Sequence, residues 1–408
     1  MSKKKMYRLL AFILFTFGLL AVVITVEFNR YLNRTEEQTN NELQTASKPE
    51  SSADGNLSET SASADTSTRD GETDSAVLPE TIEDTNSNQT DETKHLWKDI
   101  NLLFCGDIYL SDYVLNQYEQ NGLSGILSND LQEEFHTADI TMVNQEFAFT
   151  NRGKKAEDKQ YTFRVDPQNV QVFKDMQIDV VALANNHTMD FGIEGLTDSF
   201  NTLKGAGIKY AGAGNNLDEA RNINYFEVYG KKIAYLAASR VIPKPEWNAY
   251  KTKPGMLTTY DPAFLLEDIK TAKSQSDFVV VYVHWGKERH DSPEEYQRNL
   301  AKQYIDAGAD LIIGSHPHVL QGIEYYNGKP IIYSLGNFIF YSSIKQTALL
   351  KVSLNEQNEA KIRLLPGKAE NSRTIGLDND SDKNDFYKYM TNISFGIHFD
   401  EEGNIISE

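Results

Sequence analysis

The sequence predicts a mixed α/β domain over residues 96–368, held behind a membrane-spanning segment and an acidic tether. Three observations carry that expectation. Short apolar runs rich in β-branched residues recur from Trp97 onward, amphipathic stretches of helical length separate them, and the chain before Trp97 has a wholly different composition. Strands followed by helices read as parallel βαβ units, and runs apolar on both faces read as strands covered on both sides.

The N-terminal part divides into three. Residues 1–8, MSKKKMYR, form a cationic tail, and Leu9–Val26 is an uncharged apolar run. As a helix rising about 1.5 Å per residue it spans ~27 Å, close to the hydrocarbon thickness of a bilayer. The flanking cations place the tail in the cytoplasm and everything after it outside the cell membrane. The run is longer than a cleavable signal's apolar core, and ITVEFNRYLN follows it in place of a small-residue cleavage site, so it reads as a single-pass signal anchor. Residues 27–95 form a linker rich in Ser, Thr, Asn, Asp, Glu and Gln, without one aromatic residue between Leu32 and Lys94. Such a segment buries too little apolar surface to offset its ordering entropy and reads as a disordered tether. It also carries −11 of the chain's net −19. That balance excludes nucleic acid as the main partner, because phosphate binding needs clustered cations. The single cysteine, Cys105, forms no internal disulfide and reads as a small buried apolar residue.

Within the domain, INLLFC, ADITMV, DVVALA, FVVVYV and DLIIG read as strands. DPQNVQVFKDM, PAFLLEDIKTAK and SPEEYQRNLAKQYIDAG read as helices. The last has strong end signals: Ser292 as N-cap, Pro293 at the first position, Glu295 completing a capping box, and Gly308 past the end. YFEVYGKKIAYLAA, GIEYYNGKPIIYS and ALLKVSLNEQNEAKIRLL read as hairpins, the second turning on Asn327-Gly328. Residues 369–408 read as an extension whose FYKYMTNISFG forms a short helix packed back on the domain.

The strands end alike. Asp107 follows the first, Asn144-Gln145-Glu146 the second, Asn185-Asn186-His187 the third, His284 and Glu288 the fourth, Ser315-His316-Pro317-His318 the fifth, and Asn337 the run IIYS. In open α/β sheets ligands bind outside the carboxyl ends of the strands, so these residues converge on one rim. Asp107, Glu146, Asn186, His284, His316 and His318 offer oxygen and imidazole nitrogen without thiolate, a set suited to Mn, Fe or Zn. Six donors exceed what one open catalytic ion needs and match two ions sharing a carboxylate. Pro317 is expected to keep His316 and His318 extended, with both rings on one side. Asn144, Asn185, Glu288 and Asn337 are candidates for substrate contact, while His95, His136, His290 and His398 lie outside the pattern.

GDIYL, VNQEF, ALANNHTMDFG, YAGAGNNLDEA, VHWGKE, AGADLIIGSHPHVLQGIE and YSLGNFIF, in this order, resemble the bacterial capsule-synthesis CapA family, the poly-γ-glutamate capsule proteins. That family resembles calcineurin-type metallophosphoesterases, which implies a four-layer α/β/β/α sandwich. The resemblance implies that Asp107 is the first-motif ligand, Glu146 the bridging carboxylate, Asn186, His284, His316 and His318 further ligands, His187 the general acid and Asp190 its orienter. It also marks a departure, since Tyr109 stands where the phosphoesterase motif Asp-x-His has a ligand histidine. One of the two ion positions therefore lacks a ligand. The functions it implies are an envelope protein of capsule or poly-γ-glutamate assembly with a phosphoesterase-like site, a non-catalytic component of a polymer synthase complex, and an envelope phosphoesterase unrelated to capsule. The partners implied are the membrane, other synthase subunits, and an anionic polymer or phosphorylated envelope substrate.

Overall fold

A computed structural model describes residues 97–407. The expected cytoplasmic tail (1–8), transmembrane anchor (9–26) and acidic linker (27–95) lie outside the described residues, as does residue 96, where the domain is expected to begin. Among the described residues no helix is long and apolar enough to cross a membrane.

Two large sheets carry the domain. Their strands are numbered along the chain: β1 Ile100–Ile108, β2 Ile140–Gln145, β3 Val180–Ala182, β4 Lys209–Ala211, β5 Asn224–Val228, β6 Lys231–Ser239, β7 Phe278–His284, β8 Leu311–Ser315, β9 Leu320–Tyr326, β10 Lys329–Leu335, β11 Asn337–Ile339, β12 Ser343–Leu354, β13 Ala360–Glu370 and β14 Arg373–Gly376. The first sheet runs β14-β13-β12-β1-β2-β3-β4, with β11 also paired to β1, and the second runs β9-β10-β8-β7-β6-β5. β1 to β4 are mutually parallel, as are β6, β7, β8 and β10, while the three hairpins expected from the sequence supply antiparallel partners. The fold is thus mixed α/β, as expected.

Alternation along the strands decides what each sheet faces. In β7, Phe278, Val280 and Tyr282 join Leu102 and Phe104 of β1 in a core between the sheets. Val279, Val281 and Val283 point the other way, against helices Ala263–Gln275 and Glu295–Ala307. On β1, Leu103 and Cys105 likewise face Val114, Phe135, Phe173 and Phe200 from the helices Asp112–Asn121, Asn129–Thr137, Val170–Asp175 and Gly192–Ala206. A period of two with apolar residues on both faces is what a doubly covered strand requires. Cys105 is fully buried, as a small apolar residue would be. The two sheets are tied by the Tyr282 hydroxyl, which donates to Cys105 O at 2.8 Å.

Two local expectations change. Helix Glu295–Ala307 starts later than its end signals suggested, with Glu294 at the N-cap in place of Ser292. Gln297 Oε1 accepts from Glu294 N–H at 2.8 Å, so the capping box is Glu294-Gln297. The cause is Gln321 of β9, which donates to His290 O at 2.8 Å and Ser292 O at 3.2 Å and holds that segment off the helix axis. Residues 369–408 contribute the end of β13, all of β14 and a fourteen-residue helix, Asp380–Ile393. Its Phe386 and Met390 close one edge of the middle core.

Candidate metal centre

The carboxyl ends of β1, β2, β3, β7, β8 and β10 open on one rim, and its polar residues are held by backbone geometry first. β1 and the turn after β10 approach so closely that a Cβ at Gly106 would lie 1.8 Å from Gly336 O. Asp107 N–H donates to that same carbonyl at 2.8 Å. Here glycine alone permits the approach.

Glu146 is the hub. Its Oε1 lies 3.8 Å from His284 Nε2, 3.8 Å from His318 Nε2 and 4.0 Å from His187 Nε2. Two donor groups converge, one of Asp107, Glu146 and His284, the other of Glu146, His316 and His318, and they share Glu146. Asn186 Oδ1 joins them, 2.9 Å from His284 Nε2. Two of the rings are fixed from behind. His318 Nδ1–H donates to Asn337 Oδ1 at 2.8 Å with Nε2 turned toward Glu146, and Ser315 Oγ holds His284 Nδ1 at 3.0 Å.

His316 and His318 are not extended, contrary to expectation. Their φ angles are +98° and +57°, so both non-glycine residues sit in a sparsely populated region at a cost of roughly 1–3 kcal/mol each. A two-residue period would have placed the rings on one side of an extended strand. The strained turn instead brings both onto Glu146.

The electrostatics follow from burial. Asp107, Glu146, His284 and His316 are all at most 5% exposed. Burial raises the Glu146 carboxyl well above its ordinary value, and the Asp107 charge adds to the shift. Burial also lowers His284 far down and takes His316 to about 3, with the neighbouring imidazoles adding to both. For Asp107 burial pushes upward, yet the hydrogen bond and charge of His318, with Asn144, hold it below the ordinary carboxylate value. Burial also lowers His318, but the hydrogen bond and charge of Asp107, with Asn337, outweigh it and raise that imidazole above its ordinary value, so an ion binding here would displace protons held by His318 and Glu146. The residues fit a divalent ion on one further count: Glu146 Oε1 and His316 Nδ1 are buried without any hydrogen-bond partner. Orphaned buried polar atoms are rare and costly, and an ion would satisfy both.

Beside the hub stands His187. Its Nδ1 lies 2.7 Å from Asp190 Oδ2 and 3.0 Å from the Lys159 ammonium, and Nε2 faces Glu146. Asp190 is anchored by Phe163 N–H at 2.7 Å and by the Lys159 ammonium, which also donates to Asn186 O. Phe163 stacks on the His187 ring at 4.1 Å. Burial lowers the His187 pKa, against the pull of Asp190.

A profile of the bacterial capsule synthesis protein PGA_cap family matches residues 101–342. The chain belongs to that family. Its PGA_cap region contains every residue of the rim. Relatives include the PGA biosynthesis protein CapA of Bacillus subtilis, 37% identical over 268 residues, 64% of this chain and 70% of that one. The capsule biosynthesis protein CapA of Bacillus anthracis is 35% identical over 241 residues, 57% of this chain and 58% of that one. This PGA_cap chain thus spans between just over half and about two thirds of those relatives' lengths. Among solved structures, a phosphatase from Mycoplasma pneumoniae aligns at a TM-score of 0.46 and 15% identity, covering 67% of this chain and 95% of that one.

The six expected ligand residues come together in this PGA_cap domain, with His187 and Asp190 beside them. Asn144 and Asn185, expected to touch substrate, are struts. Asn144 Nδ2 donates to Asp107 Oδ1 at 2.8 Å, and Asn144 Oδ1 accepts from Asn185 at 3.0 Å. Both are fully buried, with their polar atoms engaged inside the protein. Glu288 and Asn337 do line the cavity of about 630 Å³ that opens beside His187 and His318. Tyr109 makes no contact with the hub. It stacks on Phe163 at 4.1 Å, on the face opposite His187. Lys159, Phe163 and Ser315 were missed. Ser315 was visible inside the cluster SHPH, whereas nothing local separates Lys159 from Lys154 or Lys155.

Proposed function

We propose that the protein is a membrane-anchored, extracytoplasmic component of poly-γ-glutamate capsule assembly whose metal centre hydrolyses phosphoester bonds. Family membership and the capsule roles of the relatives named above support the capsule assignment. The apolar run Leu9–Val26 supports the anchor, with the N-terminus in the cytoplasm. The observation that carries the chemistry is the position of Glu146, an orphaned carboxylate oxygen shared by two converging donor groups.

Asp107, Glu146, Asn186, His284, His316 and His318 would hold the ions, for which Mn, Fe and Zn suit the donors. A bound divalent ion there supplies Lewis-acid stabilisation of an oxyanion and acidifies a water. The chain's own part is proton delivery and positioning. His187 lines the cavity and turns Nε2 toward the hub. Once charged, it is placed to protonate a leaving oxygen, with Asp190 stabilising the imidazolium through Nδ1. Phe163 fixes the ring plane.

The test is metal analysis of the purified full-length protein, with phosphodiester and phosphomonoester hydrolysis assayed in added Mn²⁺. Bound metal and turnover are expected. Absence of both would sink the enzyme reading and leave a non-catalytic component of a synthase complex. That second reading is favoured by one observation, the aromatic contacts of Tyr109 where a ligand histidine would stand. A phosphatase reporter fused after residue 27 tests the anchor, since it is active only if exported.

A further inference from the structure

The segment from Asn151 to Phe163 contains neither helix nor strand, and most of its residues are exposed. Its first end is pinned away from the rim: Arg152 pairs with Asp198 at 2.6 Å, and Asn151 donates to Asp166 at 2.8 Å. Beyond that end its attachment is confined to one place. Among the described residues, every hydrogen bond that residues 153–162 make outside their own segment ends on Asn186, His187 or Asp190. Ala156 N–H donates to Asp190 O at 2.7 Å, and the other contacts belong to Lys159. Phe163 follows, donating its N–H to Asp190 Oδ2 at 2.7 Å and laying its ring on His187 at 4.1 Å.

Lys159 differs from its neighbours in the chain. The side chains of Arg152 and Lys154 are 63% and 85% exposed, whereas that of Lys159 is 14% exposed. Trp247, from the turn Pro245–Trp247, covers it, with the ammonium 5.5 Å from the ring centroid. An apolar side chain would fill that space without burying a charge. What only the ammonium supplies is three donors on a flexible stem. They meet Asp190 Oδ1 and the Asn186 main-chain carbonyl, and the nitrogen stands 3.0 Å from His187 Nδ1. The fully buried Asp190 carboxylate is thereby divided between two tasks. Oδ2 faces His187 Nδ1 and Phe163 N–H, while Oδ1 is taken by Lys159. Without Lys159, Oδ1 would be a buried acceptor with no donor.

We propose that Lys159 is a positioning residue of this site: it clips the 151–163 segment to Asp190, so that Asp190 and Phe163 together hold the His187 ring. Lys159 does not line the cavity and acts through Asp190. Its bearing on turnover rests on the proton-donor reading of His187. Removing the ammonium releases the segment and, with it, the Phe163 ring. The six candidate ligands keep their donor atoms, because Lys159 reaches Asn186 only at the main-chain carbonyl.

The experiment compares full-length wild type with Lys159→Met, which removes the charge and keeps an unbranched side chain. The ring signal of His187, assigned by its loss in His187→Ala, is followed by NMR in protein carrying carbon-13-labelled histidine. The spectra are recorded in EDTA, so this readout does not depend on the metal reading. The stacked Phe163 ring should displace the signal upfield in wild type, and the displacement should collapse in Lys159→Met. Trypsin should cut after Lys154 and Lys155 about tenfold faster in the variant, because few other contacts hold that stretch. Phosphoester hydrolysis in added Mn²⁺, expressed per bound metal, should fall roughly 10–100-fold, the range for losing a partner that orients an active-site group. Lys159→Cys should behave like Lys159→Met. Alkylating it with bromoethylamine rebuilds an ammonium at lysine's length and should return all three readouts toward wild type. Cys105 is fully buried and offers no competing thiol. Should Lys159→Met fail to accumulate, Lys159→Gln, which keeps a donor without the charge, carries the same comparison. An unmoved His187 signal overturns the proposal, as does wild-type hydrolysis from a variant whose signal has moved. A wild type that hydrolyses nothing, with the signal and the proteolysis both moved and both rescued, refutes the hydrolase reading and supports the clip.

Discussion

Replacing Asn185 by alanine should damage the proposed metal centre without touching any of the six candidate ligands. The side chain makes four buried hydrogen bonds. Nδ2 donates to Asn144 Oδ1 at 3.0 Å and Gln145 O at 2.7 Å, and Oδ1 accepts from His187 N and Thr188 Oγ1, each at 3.0 Å. Thr188 keeps a second acceptor in Leu183 O, so three groups lose the bond that Asn185 supplied. At about 1 kcal/mol per bond, and more where a buried partner stays unpaired, Asn185→Ala should cost roughly 3–4 kcal/mol. With an unfolding entropy of about 2.1 cal/mol/K per residue over residues 97–407, that lowers Tm by roughly 5–6 °C. The second consequence runs through Asn144. Its amide is oriented by Asn185 and itself holds Asp107 Oδ1 at 2.8 Å, so Mn²⁺ affinity should fall about tenfold. Thermal melting with and without metal, and calorimetric Mn²⁺ titration, measure both. A Tm within about 2 °C of wild type would refute the strut role, because that is the range of an ordinary surface change.

Gly106→Ala should prevent soluble folding, since the new Cβ would meet Gly336 O at 1.8 Å and Leu335 C at 2.9 Å, backbone that cannot step aside. Soluble expression with an unshifted melt would refute that close approach. His316→Ala should abolish retention of metal, whereas His187→Ala should keep most of it and lose turnover; metal loss in the latter would show His187 to be a ligand. Glu324 tests a distant ion pair. It accepts from Arg298 Nε at 3.0 Å, Arg298 Nη2 at 3.1 Å and the Tyr333 hydroxyl at 2.8 Å. Burial pushes its carboxyl upward, but Arg298 and Tyr333 outweigh it and hold the pKa below the ordinary value. The stabilisation is therefore present above the unfolded carboxylate pKa of about 4.3 and lost as pH falls through the lowered folded value. Glu324→Gln should cost about 1–3 kcal/mol at pH 7, and the gap to wild type should close in acid. A gap independent of pH would refute the charge contribution.

The strands and hairpins were legible because doubly covered strands are written as apolar runs and hairpins as paired runs around Asn-Gly. The rim was legible because six such runs end in donors, and the end of a parallel strand is a fixed place in the fold. What remained hidden depends on contacts between segments far apart in sequence. Gln321 shifts the start of helix Glu295–Ala307 from a strand downstream. His316 and His318 look extended around Pro317, but packing of the surrounding loops overrides the local preference. Lys159 lies in a polar loop among other lysines, and only its docking on Asp190 singles it out. Asn144 and Asn185 have the right chemistry for substrate contact, and only their depth removes them from it.

Tyr109 stands where the phosphoesterase resemblance leads one to expect a ligand histidine. It is the first residue after β1, beside the register shift between Asp107 and Ile108. Tyr109 instead stacks on Phe163 at 4.1 Å and 21°, and Phe163 stacks on His187 at the same distance and angle. Phe340 packs against Tyr109 and Phe163 at 5.6 Å each, closing the column from the side. The position therefore adds no donor to the hub, and an ion on that side relies on Asp107, Glu146 and His284. What it supplies is a rigid apolar wall behind His187. The proton-donor role proposed for His187 needs a ring plane that holds while its charge changes, and stacked rings resist rotation without competing for Nε2. Substitution at Tyr109 thus separates two properties that the ligand histidine would have joined: a smaller side chain loosens His187, while the donor set around Glu146 stays the same.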